Sequence, residues 1–201
     1  MLTLTRAVFA AVAVGGCGGS SSRPAQPPPC PEGDARVVTA AQLEALAGCD
    51  VIAGDLVIDG AAVRDIAALG RVTEIRGSLV VGPTLRLTSL AGLRNLRSVS
   101  KNIDVHSNAG LTGVFFGRLA TVGGDLEIDR NRSAAIASLH QLQSVGGDVE
   151  VSGNTSLLRL DLASLETVGG DLVVVDNRRL EDLVLGDVAV AGERSIEPGA
   201  P

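Results

Sequence analysis

"VGGDLEIDRN" (residues 122–131) returns as "VGGDVEVSGN" (145–154) and again as "VGGDLVVVDN" (168–177), a spacing of 23 residues. With Val122 as reference, the same slot is filled by Ile52, Ile75, Val99, Val122, Val145 and Val168, at intervals of 23, 24, 23, 23 and 23. Four residues after each reference stands Leu56, Leu79, Ile103, Leu126, Val149 or Leu172, and two further on Ile58, Val81, Val105, Ile128, Val151 or Val174. That alternation is a strand with one buried face. Residues three and six before the reference are also mostly apolar, as in Leu93 and Leu96 or Leu139 and Leu142, and form the returning sides of a coil. A unit of this length cannot bury its apolar face alone, whereas stacking at about 4.8 Å per rung lets each layer cover the next. The expected fold is all-β, a parallel β-helix or solenoid of about six 23-residue rungs.

Two further columns follow the period. A glycine pair precedes each later strand, at Gly123-Gly124, Gly146-Gly147 and Gly169-Gly170, and is read as a tight corner that a Cβ would resist. A phosphate loop is the weaker reading, since no helix or lysine follows. Nine residues after the reference stand Asn108, Asn131, Asn154 and Asn177, a spacing that predicts a structural asparagine ladder whose amides bond from rung to rung. The first two rungs have Ala61 and Thr84 there. Upstream, "TAAQLEALAG" (39–48) predicts a short N-terminal capping helix, with Thr39 as N-cap, Leu43 and Leu46 on one face, and Gly48 as the stop.

Composition narrows the function classes. The 201 residues carry a formal charge of -6, and the aromatics are Phe9, Phe115 and Phe116 alone. With a single lysine, Lys101, and no Trp or Tyr, the chain lacks the positive field and stacking platforms that nucleic acids require. Residues 1–16 read as an export signal, with Arg6 followed by an apolar run from Ala7 to Val14 that is too short for a bilayer span of roughly 20 residues. "VGGC" (14–17) resembles the lipobox of bacterial lipoproteins, in which the cysteine, here Cys17, is lipidated. Residues 17–29 then form a Gly-, Ser- and Pro-rich tether. Lipidation of one of three cysteines leaves Cys30 and Cys49 to pair in an oxidising compartment, closing a loop whose bond contributes roughly 3 kcal/mol. The domain is expected over 30–186, with 187–201 as a tail.

"CPEGDARVVTAAQLEALAGCDVIAGDLVI" (30–58) followed by "VRDIAALGRVTEIRGSLVV" (63–81) resembles the receptor L domain, the module repeated in the epidermal growth factor and insulin receptor ectodomains and found in fungal and bacterial surface proteins. The shared features are an N-terminal Cys, a short helix, a second Cys in "GCDVIAGDLVI" and the following "I-x-G-x-L-x-V" turn, and the likeness runs on to about residue 185. The resemblance implies a right-handed β-helix, a Cys30–Cys49 bond and an extracellular binding role. No receptor ligand contact can be transferred, because the shared residues are scaffold.

Candidate site residues are therefore sought on the outward face of the strands. Asp104, Asp125, Glu127, Asp129, Asp148 and Glu150 are expected there, with Arg130 and Arg132 as partial neutralisers. Unit charges stacked about 4.8 Å apart repel by roughly 0.9 kcal/mol in water. They form either a solvated face, a docking face for a basic partner, or a Ca2+ site, the last being the weakest expectation. Phe115 shares a slot with Ser138 and Asp161 and is expected to point outward as a second candidate, while Phe116 enters the core. No catalytic residue, cofactor or metal site is expected: His106 and His140 are far apart in sequence, and no nucleophile has a base at a motif spacing. A carbohydrate-active β-helix enzyme would need sugar-stacking aromatics and cleft-walling loops. The sequence thus predicts a non-catalytic binding or scaffolding module, lipid-anchored at the outer membrane or surface of a bacterial envelope, with a passive structural protein as the alternative. It predicts no oligomeric state.

Overall fold

The computed structural model describes residues 29–197; the expected signal segment, Cys17 and nearly all of the tether lie outside the described residues. The chain winds into a β-solenoid of about seven turns, one more than the repeat count suggested. Its strands form three parallel sheets of eight, seven and four strands, each strand pairing with its equivalent one turn away. The eight-stranded sheet contains the alternating segments, from Leu56–Ile58 to Leu172–Val175. Register follows the repeat: Leu126 lies beside Ile103 and Val149, and Ile128 beside Val105 and Val151. The seven-stranded sheet holds the two-residue segments ending in the reference slot, Ile52 through Val168.

Strands beyond the repeats complete the stack. Ala35–Val37 pairs with Leu56–Ile58 at one end. At the other, Ala189–Val190 and Arg194–Ile196 pair with Thr167–Val168 and Leu172–Val174, so the stacking continues past Gly186. Val190 is a seventh member of the reference column, hidden because its interval shortens and Arg194 and Ser195 break the apolar alternation.

The third side changes character along the axis. In the early turns it is helical, with the α-helix Ala40–Glu44 and the 3-10 turns Ala67–Leu69 and Ala91–Leu93 stacked on one another. From Gly113–Phe115 onward it becomes the four-stranded sheet. Thr39 is the N-cap as expected, and with Gln42 it forms a capping box: Thr39 Oγ1 accepts from Gln42 N–H, and Gln42 Oε1 accepts from Thr39 N–H. It ends at Glu44 rather than at Gly48, because the next residues tighten into turns whose N–H groups bond three residues back. Leu43 and Leu46 face the core as expected.

One apolar core runs the length of the coil and includes every reference residue from Ile52 to Val168, together with Leu93, Phe116, Leu139 and Leu162 in the returning side. Cys30 and Cys49 are bonded, tying the N-terminal strand region to the start of the second coil. The glycine column has a more specific cause than corner tightness. A Cβ on Gly146 would collide with the Gly123 carbonyl oxygen of the preceding rung, and one on Gly147 with the Asp125 carboxylate. These glycines allow rungs to stack at strand spacing.

Candidate functional site

The polar columns of the solenoid divide into three groups with different chemistry. The first is the asparagine ladder, where Asn108, Asn131, Asn154 and Asn177 are all buried. Asn131 Oδ1 accepts from the Asn108 backbone N–H and side-chain amide at 3.2 and 3.0 Å, and Asn131 Nδ2 donates to Val105 O at 2.7 Å and to Asn154 Oδ1 at 3.3 Å. Asn154 repeats the pattern on Asn177 and Ile128. Buried Thr84 begins the ladder, donating its hydroxyl to Asn108 Oδ1 at 2.7 Å. Each ladder residue follows a corner residue of positive φ, Ser107, Arg130, Gly153 or Asp176, with φ between 52° and 56° for the three that are not glycine. That left-handed corner is costly for a residue with Cβ, and the amide bonds around it hold it in place.

The second group is a carboxylate ladder that the sequence reading missed. Asp125 Oδ1 accepts the Asp148 N–H at 3.0 Å, Asp148 Oδ1 accepts the Asp171 N–H at 2.7 Å, and Asp171 Oδ1 accepts the Glu193 N–H at 2.7 Å. Asn102 Oδ1 bonds the Asp125 N–H in the same way, and Asp34 and Asp55 serve the first turns. The sequence reading placed Asp125 and Asp148 with the outward strand residues; in the structure they stand at the corner before the strand and bind backbone. The recurrent "GD" at 54–55, 124–125, 147–148 and 170–171 was the available signal. The glycine admits the carboxylate and the aspartate supplies it.

The third group is the outward face proper. Asp104, Glu127 and Glu150 lie side by side in register on consecutive strands, with Val80 before them and Val173 after. Asp129 lies one column over, beside His106. Arg130 Nε donates to Asp129 Oδ2 at 2.6 Å, whereas Arg132 forms no ion pair with a described residue. Burial raises the Asp104 carboxyl above its ordinary value, Asp129 adds to the rise, and His106 and Arg130 oppose it. Glu127 is raised first by burial and then by Asp104, Glu150, Asp129 and Asp125. The three carboxylates share one column, and among the described residues Glu127 and Glu150 have no lysine or arginine ion pair, so the column is arranged to receive positive charge.

His106 also joins this face: its Nε2 lies 3.8 Å from Asp104 Oδ2. The sequence reading set the histidines aside by their separation from each other, although His106 stands two residues from Asp104 and 23 from Asp129, which a solenoid makes adjacent. His140 is exposed elsewhere, beside Ser138.

Phe115 points outward and is 45% exposed, while Phe116 is fully buried. The Phe115 ring covers Gly113, and exposed Ile136 occupies the adjacent strand. A groove of about 810 Å³ runs along the seven-stranded sheet but is lined only by Ser, Thr, Gly, Val and Ala, with no titratable group. Among the described residues, no helix is long and apolar enough to cross a membrane.

No curated protein and no solved structure matches the chain. The family model described as Receptor L domain matches residues 48–114, the turns from the second disulfide cysteine region to the start of the four-stranded sheet. Domains of this family are non-enzymatic and bind ligands, proteins among them. Over those residues, about a third of its length, the chain is similar to the receptor L domain family.

Proposed function

We propose that this protein is a lipid-anchored, extracytoplasmic binding module of a bacterial envelope, whose column of Asp104, Glu127 and Glu150 docks a basic segment of another envelope protein. The observation that carries the reading is the in-register stacking of those three carboxylates on one parallel sheet, with valines at both ends of the column and, among the described residues, no lysine or arginine ion pair to Glu127 or Glu150. Burial raises Glu127 first and the neighbouring carboxylates add to the rise; a partner lysine or arginine would relieve that second part, and the flanking Val80 and Val173 offer apolar contact beside it. The lipobox-like "VGGC" and the Pro-rich tether support the anchored location, and the Cys30–Cys49 bond suits an oxidising compartment.

Phe115 supports a second docking surface, on the four-stranded sheet, because its ring is half exposed beside exposed Ile136. In-cell crosslinking of the full chain separates the two surfaces. Loss of one basic partner in Glu127→Lys, with Phe115→Ser still crosslinked, assigns the carboxylate column. The reverse assigns the aromatic surface, and no partner in wild type sinks the binding role in favour of a passive structural one. Mass spectrometry of the same preparation should find acyl chains on Cys17, absent from Cys17→Ser.

A further inference from the structure

Asp104 and His106 alternate on one strand and so project from the same face, and Asp129 pairs with His106 across the ladder. The three side chains thereby offer two carboxylate oxygens and one imidazole nitrogen, all within 4.8 Å of one another. We propose that they form a binding site for one divalent first-row transition ion, of the Zn2+ or Mn2+ type.

Three observations lead there. At 3.8 Å the His106 Nε2 to Asp104 Oδ2 separation is too long for a hydrogen bond, so the two groups are not explained by bonding each other. Two ligands held by one ion at about 2.1 Å stand roughly 3.4 Å apart in tetrahedral geometry, a distance that a small side-chain shift reaches from the observed one. Second, Asp104 Oδ1 is shut off from solvent without a hydrogen-bond partner, the one such side-chain atom found among the described residues. The buried asparagines of this chain are all bonded, and an anionic oxygen left bare is a demand for a positive group. Third, Arg130 holds the Asp129 carboxylate at 2.6 Å, the outer hydrogen bond that commonly orients a metal-binding carboxylate.

The donor set selects the ion. Ca2+ takes six to eight oxygen ligands, whereas an imidazole with two carboxylates and open positions suits a borderline transition ion. The Ca2+ expectation drawn from the acidic run alone shifts accordingly once His106 is placed in the cluster. Two carboxylates and a neutral imidazole balance a dication, and Glu127 beside Asp104 adds to the attracting field.

The site shares Asp104 with the docking column but needs no partner, so metal alone tests it. The purified full chain, stripped with chelator, is titrated with Zn2+ while bound metal and thermal melting are followed. The expected result is about one Zn2+ per chain and a rise in Tm of about 5–10 °C at free Zn2+ near 100 times Kd. His106→Ala and Asp104→Asn should lose the shift while their metal-free melts stay close to wild type. His140→Ala and Cys17→Ser should keep it. Should either variant fail to fold, Asp129→Asn decides in the same assay, with a loss of about 10-fold or more in affinity expected. No shift in wild type, or a shift that survives His106→Ala, overturns the proposal. An equal response to Ca2+ that ignores His106→Ala overturns the transition-ion assignment.

Discussion

The asparagine ladder and the outward carboxylate column repeat with the same period on the same coil, yet one is saturated with bonds and the other is left bare. Asn108, Asn131, Asn154 and Asn177 are buried, and each amide both accepts and donates along the axis or to the corner backbone. Asp104, Glu127 and Glu150 meet one another across the ladder, with only valines beyond them. An amide carries a donor and an acceptor, so identical copies can bond each other indefinitely; a carboxylate carries only acceptors, so identical copies repel. The corner aspartates show the exception that proves useful: they stack because each accepts a backbone N–H from the next rung. Repetition of a polar residue is therefore structural where the repeat supplies its partner, and available for binding where it does not.

Asn131→Ala attacks the saturated column at its centre. It strips the acceptor from the Asn108 N–H and the donor from Asn154 Oδ1 in a buried setting, and we expect a loss of about 3 kcal/mol in urea unfolding. A loss below about 1 kcal/mol would mean that water replaces the amide and that the ladder is not what orders the corner.

Asp148→Ala removes one accepted backbone bond at an exposed corner, so about 1 kcal/mol is expected by the same assay. An effect as large as that of Asn131→Ala would erase the distinction between buried and exposed ladders.

Glu127→Gln should do the opposite and stabilise the protein at pH 7 by about 0.5 kcal/mol, since it removes a like charge from between Asp104 and Glu150. The pH dependence has a fixed sign. Asp104 and Glu127 hold their protons more tightly folded than unfolded, so the folded state binds more protons as pH falls from neutral. Their penalty is full above the raised folded values, shrinks as pH falls through them, and is gone below the ordinary carboxylate range near about 4. Melting followed from pH 7 to pH 4 should show this acid-side gain in wild type and less of it in Glu127→Gln. A wild-type loss over that interval matched in the variant would show that the column carries no repulsion.

Much of this molecule is legible in the repeat. Ile52 through Val168 name the core of one side, Leu56 through Leu172 that of another, and Asn108 through Asn177 the ladder, because solenoid neighbours are fixed by sequence spacing alone. Phe115 and Phe116 were separable by slot for the same reason. The division of the acidic residues was not. Asp125 and Glu127 are two residues apart and equally charged, and only the backbone at the corner directs Asp125 to an N–H while Glu127 stays in the outward column. The last turn was also obscured, since Ala189–Val190 and Arg194–Ile196 join the stack through backbone pairing that asks little of their side chains.

The sequence by itself determined the period, the parallel stacking, the inward residues and the disulfide partners, because each follows from which side chains recur and which must leave water. Only the tertiary structure decided which carboxylates are spent on the scaffold and which are free, and that His106 belongs with Asp104 and Asp129. Those facts depend on the direction of individual polar atoms across rungs, and direction is set by corner geometry rather than by hydrophobic periodicity.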